Sequence, residues 1–259
     1  MPITISILGS GTSAGVPMIG CHCPVCSSTD PRDKRTRPSI AVHHRGQSIL
    51  IDTTPELRLQ SIANRLDRIE AVVFTHAHAD HIFGLDDVRR FNTILGGPLP
   101  VYAAPDALAV IQRCFPYAFV AVTTAPTELY RPELLPITIS GPFELLGLTW
   151  APIPLLHGRT HVLGFRIADF AYCTDCSSIP EASQALLHNL DTLIIDALRP
   201  TPHPAHFSFE QALAMIEVLK PRRAFFTHLT HDMAHAAIER TLPPHVRVCY
   251  DTLTLESPL

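Results

Sequence analysis

Thr75-His76-Ala77-His78-Ala79-Asp80-His81 is the stretch that decides how this chain is read. It follows Ala71-Val72-Val73-Phe74, a short apolar run of strand-forming residues. Imidazoles and a carboxylate crowded at the end of a buried strand are costly as mere structure. Each needs a polar partner when buried, and imidazoles this close resist mutual protonation. A divalent cation resolves both difficulties, because neutral imidazole and carboxylate are its ordinary ligands. In a tight loop His76 and His78 can face one cation while Asp80 and His81 turn toward another.

Four donors do not fill two coordination shells, so further strand ends should supply the rest. His157 follows Pro154-Leu155-Leu156, Asp175 follows Ala171-Tyr172-Cys173-Thr174, and His228 follows Ala224 to Thr227. Each stands where a strand would deliver a side chain to a rim.

A second cluster is Cys21-His22-Cys23-Pro24-Val25-Cys26. Thiols at this spacing suit one soft cation, zinc above all. A closed tetrahedral site needs a fourth ligand. His231, three residues after His228, is the candidate. His22 is the rival, although its neighbours on both sides would already be ligands. The chain has 7 cysteines, an odd number in a long polypeptide, which favours metal-bound thiols over a disulfide framework. Cys114, Cys173, Cys176 and Cys249 are expected to pack as small apolar groups.

Outward from these clusters, strands and helices alternate. Strands are expected at Ile3 to Leu8, Ile40 to Val42, Ser48 to Ile51, Ala71 to Phe74 and Leu99 to Ala103. Helices are expected from Pro55 to Ala63, Leu85 to about Ile94 and Pro105 to Cys114. The proline-rich stretch from Ala125 to Leu145 reads as loops and short strands. The rhythm then returns, with strands at Leu148 to Ile153, Val162 to Ala168, Phe170 to Cys173, Leu193 to Asp196, Ala224 to Thr227 and Val246 to Tyr250. An amphipathic helix is expected from Ser208 to Leu219. Metal-type residues stand at strand ends in both halves. The pattern predicts an α/β chain folded as one αββα sandwich over residues 1–259.

His76-x-His78-x-Asp80-His81, followed by His157, Asp175 and His228, resembles the metallo-β-lactamase superfamily signature over nearly the whole chain. That resemblance implies a dinuclear hydrolase. His76, His78 and His157 would hold one metal, Asp80, His81 and His228 the other, and Asp175 would bridge them. Gly9-Ser10-Gly11-Thr12-Ser13-Ala14-Gly15-Val16-Pro17, the three cysteines and His228-x-x-His231 together resemble the PhnP-type phosphodiesterases, which hydrolyse cyclic ribose phosphates. The resemblance implies a structural zinc on Cys21, Cys23, Cys26 and His231, and manganese or zinc in the active site. It also implies a homodimer and an active-site role for His206, with His203 the competing imidazole of the same loop. Asp80 would serve the reaction as well as the metal. Asp52 matches a common superfamily aspartate, read as orienting the histidine loop, and Asp196 is expected to touch a ligand histidine. The coenzyme PQQ synthesis protein B group shares related features, and the tRNA 3′-processing nucleases share the histidine loop.

Composition narrows the partners. A net charge of −4 gives no basic footprint for duplex nucleic acid, and leaves room for the small phosphodiester substrate that the resemblance implies, since bound metal can supply the positive charge. No apolar run reaches the ~20 residues that span a bilayer. The segment MPITISILG has neither a basic region nor a long apolar core, so a cytoplasmic location is expected. The same metal-activated hydroxide would also attack a lactone, thioester or other ester. A non-catalytic, metal-binding biosynthetic role is the remaining alternative.

Overall fold

The computed structural model describes residues 2–120 and 131–259. Strand β1 (Ile3–Gly9) shows how the sequence builds the first sheet: Ile3, Ile5 and Ile7 are buried while Thr4 and Ser6 alternate with them on the other face. It is followed by β2 (Ser39–His44), β3 (Gln47–Ile51), β4 (Ala71–Val73), β5 (Leu99–Ala103) and β6 (Leu134–Thr138). The second half supplies β7 (Phe143–Leu145), β8 (Leu148–His157), β9 (Thr160–Ile167), β10 (Phe170–Cys173), β11 (Thr192–Asp196), β12 (Arg223–Thr227) and β13 (Val246–Val248). The last strand, β14 (Thr254–Ser257), returns to the first sheet beside β1.

The two sheets have seven strands each, ordered β14-β1-β2-β3-β4-β5-β6 and β13-β12-β11-β10-β9-β8-β7. Both are mixed, and their central parallel strands are apolar on both faces, as strands covered on both sides must be. One core lies between the sheets, where Ile5, Ile7, Val42 and Ile51 meet Trp150, Phe165, Tyr172 and Ile194. A second lies outside the first sheet, beneath helices α1 (Leu57–Asn64), α2 (Ala79–Ile82), α3 (Arg89–Leu95) and α4 (Pro105–Cys114). A third lies outside the second sheet, near α5 (Glu181–Gln184) and under α6 (Phe209–Leu219) and α7 (His235–Glu239). Three apolar layers separated by two sheets are the expected αββα sandwich.

Differences from expectation are local. The helix expected from Pro55 begins at Leu57, because the Thr54 hydroxyl accepts the Glu56 N–H and closes a turn first. The helix expected from Leu85 to Ile94 is a 3₁₀ turn, Leu85–Val88, followed by α3, which ends on Gly96 in the left-handed conformation. Strand β8 runs past Pro152 and Pro154 to His157, where expectation stopped it at Ile153. Its partner β7 covers only Leu148 to Trp150, so both prolines lie beyond that pairing, where no ladder donor is needed. The last expected strand stops at Val248, and β14 was not expected, since four residues with one buried leucine leave little periodic signal. Within the proline-rich stretch, 125–130 fall outside the described residues, and the remainder forms β6 and β7. No helix among the described residues is long and apolar enough to cross a membrane.

Candidate metal centre

Three strand ends turn through left-handed backbone to aim a polar side chain at one place. Asp52 (φ 64°) follows β3, Asp175 (φ 53°) follows β10, and His228 (φ 63°) follows β12. The loop after β4 meets them there. His78 is extended and caps the helical turn α2, so the loop presents His76 and His78 before the turn and Asp80 and His81 within it. The expected tight loop is therefore half extended and half helical, which is how one short segment serves two clusters.

The donors converge as two groups. The nearest ligand atoms of His76, His78 and His157 all lie within 4.8 Å of one another, as do those of Asp80, His81, Asp175 and His228. Asp175 also falls within the same limit of His157 and His206, which places it between the groups. His81 Nε2 stands 3.2 Å from Asp175 Oδ2 and 3.5 Å from Asp80 Oδ2, and His228 Nε2 stands 3.2 Å from Asp175 Oδ1. Yet the Nε2 atoms of His76, His81 and His228 are buried with no directed hydrogen-bond partner. Lone pairs that sit close but aim past one another point to a common position between them. Such orphans are rare in folded proteins unless an ion satisfies them. The donor set therefore fits divalent cations.

Electrostatics agree. Burial drives His76 well below the usual imidazole range, reinforced by His81, and burial lowers His157 as well. Both thus stay neutral, the form that binds metal. Burial opposes protonation of His81, but the carboxylates of Asp175 and Asp52 overcome it and raise its pKa well above the ordinary value. The same balance, with Asp175 foremost, pushes His228 up to about 10. Burial works to raise Asp80 and Asp175, and the facing histidines reverse it and hold both below the usual carboxylate range. The second group is a sink for positive charge, and there a bound cation competes with protons.

Supporting contacts fix each ring. Asp52 accepts from the Thr75 N–H (2.9 Å), the Thr75 hydroxyl (2.8 Å) and His81 Nδ1 (2.8 Å), so it ties down the start of the loop as well as a donor. His157 Nδ1 donates to the Ala205 carbonyl at 2.7 Å, leaving Nε2 for the centre. His206 is buried, its ring stacked 4.6 Å from that of His228, and its Nδ1 lies 2.6 Å from Asp196 Oδ2. Asp196, expected against a ligand histidine, serves His206 and also accepts the Cys176 N–H.

The second cluster also assembles. His231 Nδ1 lies 3.3 Å from Cys21 Sγ and 3.4 Å from both Cys23 Sγ and Cys26 Sγ. Tetrahedral zinc with Zn–S of ~2.3 Å and Zn–N of ~2.0 Å spaces sulfur and nitrogen by about 3.5 Å. The rival His22 is exposed and outside the group. Cys173, Cys176 and Cys249 are buried as packing residues, whereas Cys114 is exposed at the end of α4, contrary to expectation.

Arg35 was missed. Its side chain is fully buried and donates to the Thr230 and Met233 carbonyls and to Asp33, clamping the segment that carries His228 and His231. Within the basic run Arg32-Asp33-Lys34-Arg35-Thr36-Arg37 it reads as one more solvated charge, and no local signal separates it.

Comparison with known proteins follows this geometry. Residues 47–229 match the β-lactamase superfamily domain. An octanoyltransferase of Porphyromonas gingivalis is 37% identical over 253 residues, covering 95% of this chain and 50% of that protein, so the chain spans about half the length of that relative. Coenzyme PQQ synthesis protein B of Methylorubrum populi is 32% identical over 219 residues, 74% of this chain and 72% of that protein. The crystal structure of a diphosphatase from the PhnP family superposes with a TM-score of 0.92 at 42% identity, over 100% of this chain and 99% of that one. The chain belongs to the metallo-β-lactamase superfamily, as a PhnP-like member.

Proposed function

We propose that this protein is a dinuclear metal-dependent hydrolase of small phosphodiesters, cyclic ribose or nucleotide phosphates among them. One observation carries the reading: two donor groups meet at Asp175 beside the buried Asp196–His206 pair. His76, His78 and His157 would hold one divalent cation, Asp80, His81 and His228 the other, and Asp175 both. Manganese and zinc each suit this donor set. Cys21, Cys23, Cys26 and His231 would hold a structural zinc, and thiols kept reduced for that purpose suit a cytoplasmic setting. Bound at the centre, such cations supply a water of lowered pKa and neutralise charge on phosphoryl oxygens.

The chain's own groups do the rest. Asp196 accepts a hydrogen bond from His206 Nδ1 and so orients the ring. In the imidazolium form, with a proton on each ring nitrogen, His206 donates its Nε2 proton to the leaving oxygen and is left as the neutral Nδ1–H tautomer. His76, Asp80, His81, Asp175 and His228 are buried, while His78 is exposed and leaves the first donor group open to substrate and water. The likeness to a PhnP-family diphosphatase supports attack at phosphorus over attack at a carbonyl.

The test is turnover after chelation and reconstitution with manganese or zinc. Bis(p-nitrophenyl) phosphate and a 2′,3′-cyclic nucleotide should be hydrolysed faster than p-nitrophenyl octanoate or a simple lactone. Preference for the acyl substrates would replace the phosphodiesterase reading with an ester hydrolase. No turnover of any ester at full metal occupancy would leave the non-catalytic, PQQ-B-like role.

A further inference from the structure

Ala205 touches two imidazoles with its two backbone polar groups. Its carbonyl accepts from His157 Nδ1 at 2.7 Å, and its N–H donates to His203 Nδ1 at 3.2 Å. A backbone N–H can only donate, so His203 Nδ1 must be the lone-pair nitrogen. In a neutral imidazole the proton then sits on Nε2. The same residue therefore sets opposite tautomers in its two neighbours: His157 offers a bare Nε2, and His203 offers an Nε2–H donor.

His203 is placed to use that donor. Its ring centroid lies 5.2 Å from that of His206, which in turn lies 4.5 Å from His157 and 4.6 Å from His228. It is half-buried beside the centre, and among the described residues its Nε2 has no protein acceptor. Pro202 and Pro204 flank it, restricting the backbone that carries it. It is thus an ordered donor with nothing in the protein to donate to, one ring beyond the histidine that faces the leaving oxygen.

Resting on the phosphodiesterase reading, we infer that His203 is a specificity-determining residue whose Nε2–H binds a leaving-group oxygen other than the scissile one bonded to the reacting phosphorus. That oxygen belongs either to a ribose or to a second phosphoryl group. A plain aryl leaving group has no oxygen in that place.

The experiment compares wild type, His203→Ala and His203→Gln on bis(p-nitrophenyl) phosphate, 2′,3′-cyclic AMP and ADP-ribose. For His203→Ala, KM should rise about tenfold on whichever oxygen-bearing substrate the donor serves, the loss typical of one hydrogen bond. Its kcat, its metal content and its KM for bis(p-nitrophenyl) phosphate should be unchanged. His203→Gln, which keeps an N–H donor, should recover part of the loss. The cyclic phosphate and the diphosphate distinguish the two sources of the oxygen. Equal effects on all three substrates overturn the inference and leave the phosphodiesterase reading standing. A second measurement needs no turnover: nitrogen-15 spectra of the histidine side chains should show His203 protonated on Nε2. A proton on Nδ1 would overturn the inference even in a protein that hydrolyses none of these substrates.

Discussion

His81 Nδ1 stands 2.8 Å from Asp52 Oδ2, with neither side chain exposed. A carboxylate only accepts, so Nδ1 carries a proton and Nε2, which faces Asp80 and Asp175, is the atom that would coordinate. Asp52→Asn keeps the shape and removes the charge. Cation affinity at the Asp80–His81–His228 group should fall roughly 10- to 100-fold. Titration against a chelator of known affinity measures it, and unchanged binding would show that Asp52 only anchors the loop.

Asp175 belongs to the Asp80–His81–His228 group and lies within reach of His157 of the other, so in the proposed centre Asp175→Ala should affect both at once. The purified variant should lose active-site metal while the thiol cluster keeps its own. Elemental analysis decides the matter: a metal-replete, fully active variant would remove Asp175 from the centre.

The Asp196–His206 pair separates chemistry from metal binding. His206→Ala should leave metal content intact and lower kcat by roughly 10²- to 10⁴-fold, the range for losing a positioned acid or base. Near-normal turnover would reject the role.

Among the thiols, acidity differs in a way that can be read out. The Cys26 backbone N–H holds the Cys23 thiol down to about 6 against the opposing pull of desolvation, with help from His231, while burial pushes Cys26 up. In metal-free protein Cys23 should react with iodoacetamide ahead of Cys26, its rate half-maximal near pH 6 and flat above it. Mass spectrometry across a pH series checks this, and added zinc should suppress the reaction.

Cys21→Ser tests the cluster as a structural clamp. We expect zinc content to drop and Tm to fall by roughly 5 °C or more, with the active-site cations retained. An unaltered zinc stoichiometry would rule out Cys21 as a ligand.

Much of this was legible because donors cannot hide. His76, His78, Asp80 and His81 follow an apolar strand, and His157, Asp175 and His228 each end one, so sequence position alone points to a rim. The sandwich followed from alternating strands and helices. What escaped was carried by contacts between distant segments. Arg35 looks like surface charge until Thr230 and Met233 close over it. The partner of Asp196 depended on how the loop through His206 folds back. Strand β14 is too short to announce itself and exists because β1 offers an edge.

Asp52, Asp175 and His228 sit on the costly side of the Ramachandran map, where an L-residue loses roughly 1–2 kcal/mol and glycine almost nothing. Glycine at any of these bends would relieve that backbone cost, but it would also delete a buried side chain of the proposed centre or of its support. Ruggedness and reactivity therefore compete for the same three positions.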